Sequence, residues 1–137
     1  MNLLKAKDWA THFEEGVMMK AIRISEKLDQ IHDMWTPKII SQLNDYHIKL
    51  AKFCGDFTWH DHKDTDEMFY VIKGSMSIEF RDETIHLNEG DLYVVKMGRE
   101  HKPVATSECH VMLIEPKDTV NTGDITSDQT ASNKDWI

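Results

Sequence analysis

Between residues 37 and 116 the apolar positions fall in short runs separated by turn residues about every eight to twelve positions, a spacing typical of all-β chains. Residues 75–81 alternate cleanly, with Met76, Ile78 and Phe80 on one face and polar groups opposite, the pattern of a half-buried antiparallel strand. Residues 46–53 alternate too, setting Ile48, Leu50 and Lys52 against His47, Lys49 and Ala51. Residues 68–72 and 111–114 are apolar on both faces. Such strands would line a barrel or sandwich interior on one face and meet another layer, or a second subunit, on the other. Gly74, Asp82-Glu83, Asn88-Glu89-Gly90 and Gly98 punctuate the runs. The pattern predicts an all-β barrel or sandwich.

The flanks read differently, which divides the chain into an N-terminal helical lead-in (1–36), a β-barrel (37–116) and a polar C-terminal arm (117–137). In the lead-in, Leu28, Ile31 and Trp35 recur at helical spacing and Ser25-Glu26 could begin a helix, while residues 21–24 alternate like a short strand. Pro37 closes the segment, since the residue before a proline is pushed out of the helical region. The arm is rich in Thr, Ser, Asp and Asn but ends in Trp136-Ile137, which predicts an arm laid over the barrel or over a partner.

Composition narrows the function classes. At 137 residues the chain has the length of one domain, and 16 Lys plus Arg against 24 Asp plus Glu give a formal net charge of −8. An acidic chain lacks the basic footprint of a nucleic-acid binder. The longest apolar runs are about five residues, far short of the ~20 that span a bilayer. The first eight residues carry no apolar leader. Cys54 and Cys109 lack C-x-x-C spacing and fit a reducing cytoplasm as buried small hydrophobes, with a pairing across the sheet left open. Eight histidines are the odd feature.

His60 and His62 lie two residues apart, so on a strand both rings project from one face. The polar stretch 63–66 reads as a turn that returns Glu67 beside them. Two imidazoles and a carboxylate suit a divalent transition ion. His101, after the turn at Gly98, is a fourth candidate. His12, His32, His47, His86 and His110 have no ligand spacing and read as surface or edge residues.

These two segments resemble the two motifs of the cupin superfamily. His60, His62, Glu67 and Gly74 keep the intervals of the first, although Gly55 stands one residue closer to His60 than in the family pattern. Gly90, Gly98 and His101 keep those of the second, with Lys96 at its proline position and Ala105 at its asparagine position. The text around Glu115-Pro116 and Asn121-Thr122-Gly123 is similar to small single-domain cupins, some described as mannose-6-phosphate isomerase-like by similarity alone. The resemblance implies an all-β double-stranded β-helix (the jelly-roll barrel), often a homodimer. It also implies a divalent metal (Fe, Mn, Ni, Cu or Zn) held by His60, His62, Glu67 and His101. Four protein ligands on a six-coordinate ion leave two positions for water, a small-molecule ligand or dioxygen.

Phe57, Phe69, Val71 and Met97 are expected to wall the pocket. The expected function is a dioxygenase- or isomerase-type metalloenzyme acting on a small oxygen-rich molecule, with a non-enzymatic metal- or ligand-binding or sensing module as the alternative. An isomerase also needs a separate acid or base, for which Glu79, Tyr46 and Lys96 are the candidates.

Overall fold

The computed structural model describes residues 20–137, so His12 and the first half of the predicted lead-in lie outside the described residues. Among the described residues, seven antiparallel strands follow one short helix: α1 (Ile24–Asp29), β1 (Lys38–Leu43), β2 (Tyr46–Asp56), β3 (Glu67–Lys73), β4 (Met76–Phe80), β5 (Thr84–Leu87), β6 (Leu92–Val95) and β7 (His101–Pro116). The sheet runs β1-β2-β7-β3-β6, with β4 pairing both β5 and β7. The long β7 holds the barrel together. It pairs along one edge with nearly all of β2, and along the other with β4 through its first half and β3 through its second.

Strand parity places the core. On β2 the odd positions Ala51 and Phe53 enter the barrel, and on β7 Ala105, Cys109, Val111 and Leu113 meet them. Met76, Ile78 and Phe80 are buried as the alternation predicts, with the intervening Ser77 and Glu79 half-buried. The second apolar face of β2, β3 and β7 is covered from within the chain. Leu28 and Ile31 pack there against Ile40 and Leu50, joined by Ile48, Ile72, Met112 and the terminal Ile137. A helix of six residues is too short to be stable alone, so this packing holds α1 in place. Leu92 and Val94 on β6 remain exposed.

Two expectations for the lead-in are corrected. Residues 21–24 form no strand; Ile24 opens the helix instead. Trp35 is not a third helical position, because the helix ends at Asp29 and Trp35 takes a positive φ of 61°. Its indole stacks on Phe53 at 4.3 Å and donates to the Cys54 carbonyl at 2.8 Å, interactions that lie in the barrel rather than on a helix face.

The C-terminal arm lies over its own barrel. Trp136 bridges to Ile39, the Ile137 amide donates to the Ile39 carbonyl, and Lys38 pairs with Asp135 at 3.3 Å. The two features that suggested a covering partner, the two-faced strands and the terminal Trp136-Ile137, thus find contacts within the chain. Cys54 is exposed and Cys109 buried, and both are free, so the expectation of two buried cysteines holds for Cys109 alone. Among the described residues no helix is long and apolar enough to cross a membrane.

Candidate metal centre

Local backbone pairing assembles the four predicted ligands. The segment after β2 folds back onto the start of β7, where His60 and His101 exchange amide–carbonyl hydrogen bonds of 3.0 and 2.9 Å. Their rings come to 4.3 Å between centroids. His62 is tied to the β6–β7 turn through its carbonyl, which accepts from the Gly98 amide at 2.8 Å. Glu67 opens β3, and the preceding Asp66 accepts from the Met97 amide at 2.9 Å and pairs with Lys96. Lys96, at the position of the family's proline, therefore clasps the same turn by charge. The ligand atoms of His60, His62, Glu67 and His101 all lie within 4.8 Å of one another, and all four residues are buried.

The ring nitrogens of two histidines have assigned roles. His60 Nδ1 lies 3.0 Å from the Thr58 carbonyl and His101 Nδ1 lies 2.8 Å from the Arg99 carbonyl. A carbonyl only accepts, so each Nδ1 carries the hydrogen and each Nε2 is the atom left to act as a metal ligand. The Nε2 atoms of His60, His62 and His101 are buried without a hydrogen-bond partner. His62 Nε2 sits 2.8 Å from Glu67 Oε2, a contact of charge when the ring is protonated. Each buried polar atom left unmet costs ~1–3 kcal/mol. Three of them around one carboxylate match a divalent transition ion, with the Nδ1 hydrogen bonds fixing the two rings as metal-bound histidines require.

Burial, reinforced by the positive potential of His101, lowers His60 to about 4, so this ring is neutral at physiological pH. Burial opposes charge on His62 as well, but the adjoining Glu67 carboxylate outweighs it and raises the pKa. For Glu67 burial is likewise overcome, here by His101 and His62, and the carboxyl is held below its usual range. The cluster is one anionic oxygen among imidazoles.

A pocket with about 330 Å³ of empty space, mouth included, adjoins the cluster. His60 and Glu67 line it together with Trp35, Phe53, Phe57, Phe69 and Leu113. Of the expected wall residues, Phe57 and Phe69 lie on the pocket and Val71 is buried in the core behind it. Met97 is 57% exposed, because its amide is drawn to Asp66 in the turn, and it forms no wall. The candidate acids and bases are elsewhere: Tyr46 is exposed, Glu79 pairs with Lys102 and Lys96 with Asp66. His47, expected at the surface, is buried edge-on to Trp136.

Three residues at the site escaped the motifs. Lys49 and Glu115 form a buried ion pair of 2.8 Å, and Glu115 lines the pocket next to Glu67. Burial, then the Glu67 charge, pushes Glu115 up to about 7 against the pull of Lys49. Glu115 shares strand parity with His101, Val111 and Leu113, the signal that could have marked it as inward. Gly123, with φ +61°, brings the arm against Asp61: a Cβ there would lie 1.9 Å from the Asp61 carbonyl oxygen and 3.7 Å from His62 Nδ1.

Fold and site together define a β-barrel with a histidine–carboxylate cluster at one end. Residues 47–115 match the cupin domain family, and the chain belongs to it. A cupin-2 domain containing protein from Shewanella frigidimarina is 46% identical in sequence; its crystal structure superposes with a TM-score of 0.69 over 69% of this chain and 93% of its own. Protein NMB1881 from Neisseria meningitidis is 30% identical, with a TM-score of 0.66 over 71% of this chain and 99% of its own. The protein YdbB of Bacillus subtilis is 34% identical over 86 residues, 62% of this chain and 74% of that one.

Proposed function

We propose that His60, His62, Glu67 and His101 hold one divalent transition ion (Fe, Mn, Ni, Cu or Zn). We propose further that the chain is a metalloenzyme, dioxygenase- or isomerase-type, acting on a small oxygen-rich organic molecule. The observation that carries the reading is the set of three buried imidazole nitrogens left unmet around one carboxylate, at the wall of an aromatic pocket. An ion bound there supplies Lewis acidity and, for iron or copper, a change of oxidation state. The chain supplies the rest. Thr58 and Arg99 fix two rings through their carbonyls, Glu67 offsets one of the ion's two charges, and Phe53, Phe57 and Leu113 keep water from the reacting groups.

Protein loaded with iron(II) is expected to consume oxygen in the presence of a catechol or an enediol, and the His60→Ala/His101→Ala variant is not. Metal held one to one, with neither oxygen uptake nor isomerisation of an enolisable hydroxyketone, would assign the chain to binding or sensing instead.

Metal uptake should also displace a proton. The Glu67 carboxylate raises the pKa of His62, so this ring holds its proton more readily than His60, which at about 4 is almost wholly neutral. Titration calorimetry at pH 6.5 in buffers of different ionisation enthalpy should therefore show net proton release on metal binding. Removing the His62 ring should lower that release; a release unchanged in His62→Ala would contradict the assignment.

A further inference from the structure

We propose that the Arg99 side chain is a positioning residue for the metal centre: it pins the β6–β7 turn so that the Arg99 carbonyl holds the His101 ring in its ligating orientation. The inference rests on the metal reading above. His101 Nδ1 lies 2.8 Å from that carbonyl, so the place of the carbonyl sets the angle of the ring. The first part of the turn is tied down through its backbone, where the Met97 amide donates to Asp66 and the Gly98 amide to the His62 carbonyl. The part that carries the ring is tied down by side chains.

The Arg99 guanidinium lies 3.6 Å over the Phe80 ring, donates to Glu83 at 2.8 Å and to Asp82 at 3.3 Å, and reaches the Tyr93 hydroxyl at 3.2 Å. One side chain thus joins the turn to the end of β4, to the β4–β5 turn and to β6. Phe80 is also the cross-strand partner of His101, and their rings lie 6.3 Å apart. Glu100 returns the pairing, accepting from Arg81 of the same β4–β5 turn, whose guanidinium rests on Trp59, the residue before His60. An isolated exposed ion pair contributes little to stability. Arg99 is one-third exposed, and a single loss of side-chain freedom serves both a stack and a planar fork of donors. Charge and positioning predict opposite signs. A cation near the centre repels a divalent ion, so removing it without moving the ring would tighten binding. Losing the hold on a metal-bound histidine weakens binding by about 10–100-fold.

The test uses the full chain, with zinc affinity measured by competition against a chromogenic chelator. Arg99→Met is expected to bind zinc at least about tenfold more weakly than wild type. The second readout is proton NMR of the zinc-loaded protein, in which the ring Nδ1 protons of His60 and His101 are protected from exchange by their carbonyl partners. In Arg99→Met the His101 proton should exchange at least about tenfold faster, and the His60 proton, which Thr58 holds, less than about twofold faster. A general loss of stability would speed both alike. Equal or tighter zinc binding by the variant, the two ring protons affected alike, or an unprotected His101 proton in the wild type would overturn the role of Arg99 while leaving the metal site standing. A wild-type chain that holds no zinc overturns the metal reading, and this inference with it. Asp82→Ala/Glu83→Ala, which keeps Arg99 and removes its carboxylate acceptors, should show the same selective change at His101 and serves where Arg99→Met does not fold.

Discussion

Glu115→Leu is expected to destabilise the fold by about 3–5 kcal/mol, and Lys49→Met by markedly less, although the two side chains form one ion pair. Both are almost wholly buried, at 3% and 2% side-chain exposure for Lys49 and Glu115. Removing Glu115 strands an ammonium group inside the barrel with the Thr119 carbonyl as its remaining hydrogen-bond partner. Removing Lys49 strands a carboxyl whose pKa already stands near 7, held up by burial and by the Glu67 charge; without its cation that group takes a proton and becomes neutral. The asymmetry follows from which group can shed its charge. Lys49→Met/Glu115→Leu should come back to within about 1–2 kcal/mol of wild type, since a well-packed apolar pair can replace a buried ionic one. Urea unfolding of the three variants measures this. Two single variants that each cost less than about 1 kcal/mol would show that water reaches the pair.

Gly123→Ala is expected to lower stability by about 2 kcal/mol or more and to weaken metal binding by roughly tenfold. The added methyl would stand 1.9 Å from the Asp61 carbonyl oxygen, a backbone atom next to His62, at a φ of +61° that side-chain-bearing residues rarely adopt. Either the arm lifts or the segment carrying His62 moves. Gly90→Ala separates the two causes, because Gly90 also has a positive φ but its added Cβ meets nothing within 4 Å. It should lose only the ~1–2 kcal/mol of backbone preference and keep its metal affinity. Equal metal affinity in the two alanine variants would show that the arm does not position His62.

The ligand set was legible because intervals along a strand translate directly into directions. His60 and His62 point together through a period of two, and the turn between them and β3 has the length to bring Glu67 alongside. The alternation at Met76, Ile78 and Phe80 was legible for the same reason. Trp35 was misread because its spacing from Ile31 imitates a helix, whereas stacking on Phe53 and Phe57 decides its place. Met97 does not wall the pocket because it lies past the end of β6 in a turn, where the backbone no longer alternates. Lys49 and Glu115 lie 66 positions apart, Lys49 in an alternating strand and Glu115 at the end of an apolar run, and the barrel's closure alone brings them together. Gly123 had no local signal, since what requires it is a carbonyl on another segment.

The metal assignment rests on four buried side chains brought together from separate parts of the barrel. The most direct test is equilibrium metal titration of chelator-treated wild type beside His60→Ala/His101→Ala, with the fold of each followed by circular dichroism. One ion per chain is expected in the wild type, and a loss of at least about a thousandfold in affinity in the folded variant, in which two of the four ligands are gone. Equal binding by both proteins, or none by the folded wild type, would contradict it.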